Sequence, residues 1–167
     1  MAAVVKGIDA TLRVLLILLV AMLVVSVAWQ VLSRYLLQDP ASWTEELARF
    51  LLIWVGMLGA SYAFRTRTHL GLELLPMKLK GTGAGSMLKY FTLLMAAFFA
   101  AAVLVYGGGN LVALTWELRQ YSPVLGLPIA VVYSVIPLSG VLIIFSCLVQ
   151  AFEDDNEPLA ATSEDEL

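Results

Sequence analysis

The sequence predicts an all-α integral membrane protein: four transmembrane helices, both termini cytoplasmic, and a short interfacial segment on the cytoplasmic side. Three observations predict it. Hydrophobic residues make up 60% of the 167-residue chain and charged residues only 14%, with a mean hydropathy of +0.88; soluble domains carry about a quarter charged residues. The apolar residues gather into four runs, each near the length of about 20 residues needed to cross a bilayer core about 30 Å thick. Lysine and arginine are shared unequally between the connections. Helices are expected rather than open strands, because lipid offers no partner to unpaired backbone N–H and C=O groups.

The first span is expected over residues 14–37, with no charge between 14 and 33. Lys6 and Arg13 precede it, but the apolar stretch is too long for the core of a cleaved signal peptide, so it reads as a retained signal anchor. The turn that follows is rich in helix-start chemistry. Asp39 precedes Pro40, a residue suited to a first helical position, and Ser42 and Glu45 have the spacing of a reciprocal capping box. Glu45 and Glu46 sit at the positive end of the second helix dipole. Arg49 follows them by four and three residues, in reach of an ion pair along one face. Trp43 suits the interfacial aromatic belt.

The second span is expected over 46–64. Gly56 and Ala60 are four residues apart, with Gly59 between, and small residues at that spacing let helices approach closely; packing within the chain is the first expectation. Residues 65–86 mix leucines with Lys78 and Lys80, too short and charged to span, and are expected to lie along the cytoplasmic headgroups, with membrane lipids as partners. The third span is expected over 87–116, with Lys89 snorkelling to the surface and Gly107-Gly108-Gly109 marking a kink or a close contact. The fourth is expected over 127–152. Pro128 opens it, and Pro137 inside it predicts a kink, with Ser134 and Ser139 near the freed backbone groups.

Orientation follows from the basic residues. Lys6, Arg13, Arg65, Arg67, Lys78, Lys80 and Lys89 fall on one side, and Arg34, Arg49 and Arg119 on the other. The first side is therefore cytoplasmic. Residues 1–152 form the expected transmembrane domain. Residues 153–167 carry seven acids and no base, the pattern of a solvated cytoplasmic tail.

The same residues restrict function. No Asp or Glu falls in the middle of any span, where ionisable groups mark solute and proton pathways. One histidine, His69, and one cysteine, Cys147, cannot make a metal cluster or a bis-histidine haem site. Phosphate-loop, G-x-S-x-G and H-E-x-x-H patterns are absent. The chain therefore reads as a non-catalytic membrane subunit, not an enzyme, with no catalytic residue, cofactor or metal of its own and no nucleic-acid partner. Two other classes stay open on the residues alone: a self-sufficient small homo-oligomeric transporter, and a membrane anchor of a redox complex.

Arg34-Tyr35, then Trp43-Thr44-Glu45-Glu46-Leu47-Ala48-Arg49, then Trp54, Gly59-Ala60, Arg65 and His69 stand in an order that resembles the small, DctQ-type membrane subunit of tripartite ATP-independent periplasmic (TRAP) transporters. The third and fourth spans match it only in general character. The resemblance implies sodium-coupled uptake of an organic acid, such as a C4-dicarboxylate or sialic acid. A periplasmic substrate-binding protein would deliver it, and a large membrane subunit would carry the substrate and sodium sites. The small subunit would scaffold the elevator-like movement of the large one, expected as a separate polypeptide because this chain stops at Leu167. By this resemblance Arg34, Trp43, Glu45, Glu46, Arg49, Trp54, Gly56, Gly59 and Ala60 are expected to be structural or to meet the large subunit. Asp39, Glu117 and Arg119 face the side where a binding protein would land. Arg65, Arg67 and His69 are expected to anchor the cytoplasmic end.

Overall fold

A computed structural model describes residues 2–38, 41–66 and 83–152. Helix α1 runs Ala2–Tyr35, starting about a dozen residues ahead of the expected span. Hydropathy marks where lipid begins, not where backbone hydrogen bonding stops, and Lys6, Asp9 and Arg13 are all compatible with a helix. Its apolar part, Val5–Tyr35, has 31 residues. At 1.5 Å per residue that is about 46 Å, more than the bilayer core, so α1 tilts or protrudes.

Helix α2 runs Ser42–Arg65. The expected capping box is not formed. Ser42 is already helical, Ala41 holds the extended N-cap conformation (φ −74°, ψ 90°), and no side chain caps it. The first turn is tied instead by Thr44, whose hydroxyl donates to the Ala41 carbonyl at 2.6 Å and whose N–H donates to the same oxygen at 3.1 Å. Asp39 and Pro40 lie outside the described residues, as do residues 67–82, with their leucines and lysines, and the acidic tail.

Helix α3 is continuous through three stretches: Gly83–Phe99, a π-helical Ala100–Gly107, and Gly108–Glu117. Helix α4 has a short first part, Ile129–Tyr133, and a long second part, Val135–Phe152. Its break falls at Ser134, one turn ahead of Pro137. The Ser134 hydroxyl donates to the Val131 carbonyl (2.7 Å) and that of Ser139 to the Ile136 carbonyl (2.8 Å). Neither takes the Tyr133 carbonyl that the proline ring frees, so their expected role is corrected: each closes its own turn. All four helices are long and apolar enough to cross a membrane.

Their packing order is α1–α2–α4–α3. Among the described residues α1 packs on α2 alone, α2 also on α4, and α4 also on α3; α3 touches neither α1 nor α2. The molecule is thus a row of helices rather than a closed bundle. Leu12, Leu58 and Val135 join α1, α2 and α4 in a core, with Ile8, Leu16, Trp54 and Met57 around it. Elsewhere the seams bury small or hydroxyl-bearing residues: Ser26, Ser33, Thr44, Ser61, Ala100 and Ser139. This is how membrane helices associate when lipid removes the hydrophobic drive between them.

The α3–α4 seam is the tightest. A Cβ at Gly108 would stand 2.7 Å from Ile136 Cγ2 and 3.2 Å from Pro137 Cδ. One at Gly140 would stand 2.7 Å from Leu104 Cβ, 2.9 Å from Val105 Cγ2 and 3.2 Å from the Ala100 carbonyl oxygen. Of the two readings of the glycine triplet, Gly108 therefore makes a close contact. The π-helical stretch lies just before it, against Gly140.

Candidate functional site

The polar side chains that organise the molecule sit at the ends of the row. At the end bearing the α1–α2 turn, Glu46 on the first turns of α2 is 9% exposed. Its Oε2 accepts the N–H groups of Leu125 at 2.9 Å and Val124 at 3.2 Å, and the Leu125 N–H also donates to the Ser122 hydroxyl oxygen at 3.2 Å. An ionised acceptor makes the carboxylate bonds stronger than neutral ones. They fasten α2 to the α3–α4 connection although α2 and α3 do not touch. The connection is itself built: Ser122 N–H donates to the Leu127 carbonyl (2.9 Å), Gly126 N–H to that of Ser122 (3.0 Å) and Ile129 N–H to that of Gln120 (2.9 Å). Gly126 takes φ +65°, a conformation that favours a residue without Cβ. Nearby the Ser26 hydroxyl donates to the Thr44 carbonyl at 3.1 Å, joining α1 to α2.

Glu45 and Arg49 turn the other way. They pair at 3.3 Å with both side chains about two-thirds exposed. Of the two partners open to Arg49 in sequence, Glu45 is the one within bonding distance; Glu46 belongs to the loop. Below the pair Leu52 is exposed, Gly56 is exposed with nothing within 4 Å of where its Cβ would stand, and Ala60 is exposed. The expectation that Gly56 and Ala60 pack within the chain is corrected. They follow Arg49 and Leu52 at helical spacing, on the face of α2 that neither α1 nor α4 covers. Gly59, between them, does face inward, its Cβ position 4.0 Å from Leu16 Cδ2. Trp43 is exposed at the start of α2, Trp54 is half-buried on the core and Arg34 is exposed at the end of α1.

At the opposite end Arg65 Nε lies 3.5 Å from Asp9 Oδ1, and Gln150 Nε2 donates to the Phe64 carbonyl at 3.2 Å. These contacts tie α1 and α4 to the last turn of α2. Asp9, Gln150 and Ser122 were not singled out from sequence. Asp9 carried a signal, being an acid in an otherwise basic leading segment; Gln150 and Ser122 bond to backbone groups, which leave none. Arg67 and His69 lie outside the described residues. Glu117 and Arg119 are exposed at the end of α3. No group of three or more His, Cys, Asp or Glu able to hold a metal occurs among the described residues. The arrangement offers bracing at both ends and an open face between them.

Comparison with known proteins gives this arrangement a family. The profile of the DctQ component of tripartite ATP-independent periplasmic transporters matches residues 10–156. The chain is 29% identical, over 81% of its length and 82% of the relative's, to a TRAP transporter small permease protein of Haemophilus influenzae. It is 32% identical to the C4-dicarboxylate TRAP transporter small permease protein DctQ of Rhodobacter capsulatus, over 66% of this chain and 48% of that protein. Over 55 residues it is 42% identical to the sialic acid TRAP transporter permease protein SiaT of Haemophilus influenzae, a match spanning 30% of this chain and 9% of the relative. The four-span chain, with its W-T-E-E-L-A-R start to α2, belongs to the DctQ component family of TRAP transporters.

Proposed function

We propose that this small TRAP permease subunit is a fixed scaffold for a large membrane subunit in sodium-coupled uptake of an organic acid, with sodium held by the large subunit. The observation that carries the reading is the open face of α2. Arg49, Leu52, Gly56 and Ala60 follow one another on a surface that no described helix of this chain covers, and the helix presenting it is braced at both ends. Small residues facing lipid gain nothing there, whereas a partner helix can approach them closely. The short match within the much longer SiaT chain supports a large membrane neighbour. Both termini are cytoplasmic in this reading, and a periplasmic binding protein lands beside Asp39 and Glu117, with Arg119 a candidate for the same contact.

The test is co-expression with a large TRAP permease subunit, followed by co-purification and by sodium-dependent uptake of C4-dicarboxylates and sialic acid. Gly56→Leu adds bulk where the chain has open space, so the isolated subunit keeps its melting temperature while co-purification and uptake fall. Arg49→Ala acts the same way more weakly. Unchanged co-purification of Gly56→Leu, or uptake by this chain alone, refutes the scaffold.

A further inference from the structure

Helix α3 ends in a hydrogen-bond pattern that proteins usually build around glycine. Gln120 N–H donates to the Thr115 carbonyl (3.1 Å) and Arg119 N–H to the Trp116 carbonyl (3.0 Å), the paired bonds of a Schellman cap. The residue in the left-handed position is Arg119, at φ +48°. A Cβ is sterically costly there, and the same loop uses glycine where it needs that conformation, at Gly126. An arginine held in a strained cap position calls for a use of its side chain.

A cavity of about 270 Å³ adjoins the cap, lined by Thr115, Trp116, Arg119, Gln120, Tyr121 and Pro128. Its charge is of one sign, Arg119 being the one charged residue in the lining. The Arg119 guanidinium, the Gln120 amide, the Trp116 indole N–H and the Tyr121 hydroxyl can all donate. The Thr115 hydroxyl is already committed to the carbonyls of Leu111 and Val112. No carboxylate lines the cavity, and among the described residues none stands within ion-pair distance of Arg119. A concave group of donors with one permanent cation suits an oxyanion, and guanidinium matches both carboxylate and phosphate.

Depth decides the source of that oxyanion. The third membrane span closes at Glu117, so Arg119 lies two residues beyond it, at headgroup level, with Trp116 and Tyr121 exposed beside it as in an interfacial aromatic belt. Leu118, next to Arg119 in sequence, and then Leu114 and Leu111 are exposed in helical succession along the span. We propose that this cavity binds one phospholipid, its phosphodiester against Arg119 and Gln120 and an acyl chain along Leu118, Leu114 and Leu111. This assigns Arg119 to lipid rather than to the binding protein, and it depends on the chain being membrane-embedded, not on the scaffold reading.

The experiment is native mass spectrometry of the full chain, stripped of lipid and titrated separately with phosphatidylglycerol, diacylglycerol of the same chains, and inorganic phosphate. Arg119→Gln keeps the backbone strain and removes the charge, Arg119→Lys keeps both, and Arg119→Gly removes both. Phosphatidylglycerol should bind wild type one to one, about tenfold more weakly in Arg119→Gln and Arg119→Gly, and in between in Arg119→Lys. Diacylglycerol should show no saturable binding, and lipid-free Arg119→Gly should melt no lower than wild type. Equal retention of phosphatidylglycerol by Arg119→Gln, or saturable diacylglycerol binding, overturns the proposal. Inorganic phosphate binding as tightly as the lipid overturns it in favour of a soluble anion. A lower melting temperature for lipid-free Arg119→Gly overturns it in favour of a structural role.

Discussion

Gly140→Ala places one methyl group in the α3–α4 seam, and the cost can be worked from three distances. The new Cβ would stand 2.7 Å from Leu104 Cβ, 2.9 Å from Val105 Cγ2 and 3.2 Å from the Ala100 carbonyl oxygen. Carbon atoms rest about 3.5–4.0 Å apart, so α3 and α4 must separate locally by about 1 Å. Leu104 Cβ cannot swing aside, because it is fixed to the backbone of the π-helical stretch. Overpacking of this kind costs about 2–3 kcal/mol. Alanine is the better helix former by about 1 kcal/mol, which leaves a net loss of about 1–2 kcal/mol. For a chain this size that lowers the melting temperature by about 2–8 °C. The assay is thermal unfolding of the purified chain in one detergent, with Gly56→Ala as control. Gly56 has open space around it, so the control should melt no lower than wild type. If Gly140→Ala melts with wild type or above it, the close approach of α3 and α4 is wrong.

Glu46→Ala leaves the Val124 N–H without its acceptor and the Leu125 N–H with the Ser122 hydroxyl oxygen alone, at 3.2 Å, so hydrogen exchange in the α3–α4 connection should quicken, most at Val124, while α1 is unaffected; Glu46→Gln, which keeps one acceptor oxygen, should fall between. Uniform exchange across all three proteins would show that the carboxylate does not hold the loop. Asp9→Asn should lower the melting temperature, because Arg65, whose side chain is only 12% exposed, loses the carboxylate 3.5 Å from its Nε; removing one partner of a mostly buried pair costs more than the about 0–1 kcal/mol of an exposed one. An unchanged melting temperature would show that the contact does not hold α1 to α2.

The four spans were legible because lipid imposes length and apolarity on each, and both can be counted along a chain. Helix ends were less so. α1 begins well before its apolar run, since charged residues leave lipid without leaving a helix. The capping box at Ser42 and Glu45 had the right spacing, yet Ser42 entered the helix and Thr44 closed the turn. The small residues of α2 announced close packing but not on whose side, because a spacing of four fixes a face without naming its neighbour. Gly59 and Gly56 take opposite sides of that question. The role of Glu46 was beyond reach: its partners are backbone amides 78 and 79 residues away, and an amide N–H has no sequence signature. Nothing in Ala100–Gly107 foretold a π-helix, which arises beside the seam with Gly140.

The spatial order α1–α2–α4–α3 also has a temporal side. Helices enter the membrane in chain order, so α1 and α2 can pair as soon as both are inserted. Among the described residues α3 has neither of them as a neighbour, and the helix it packs on is still being synthesised. It must persist in lipid unassisted until α4 arrives and wedges between it and α2. A chain cut before α4 would therefore hold a finished hairpin and a solitary third span.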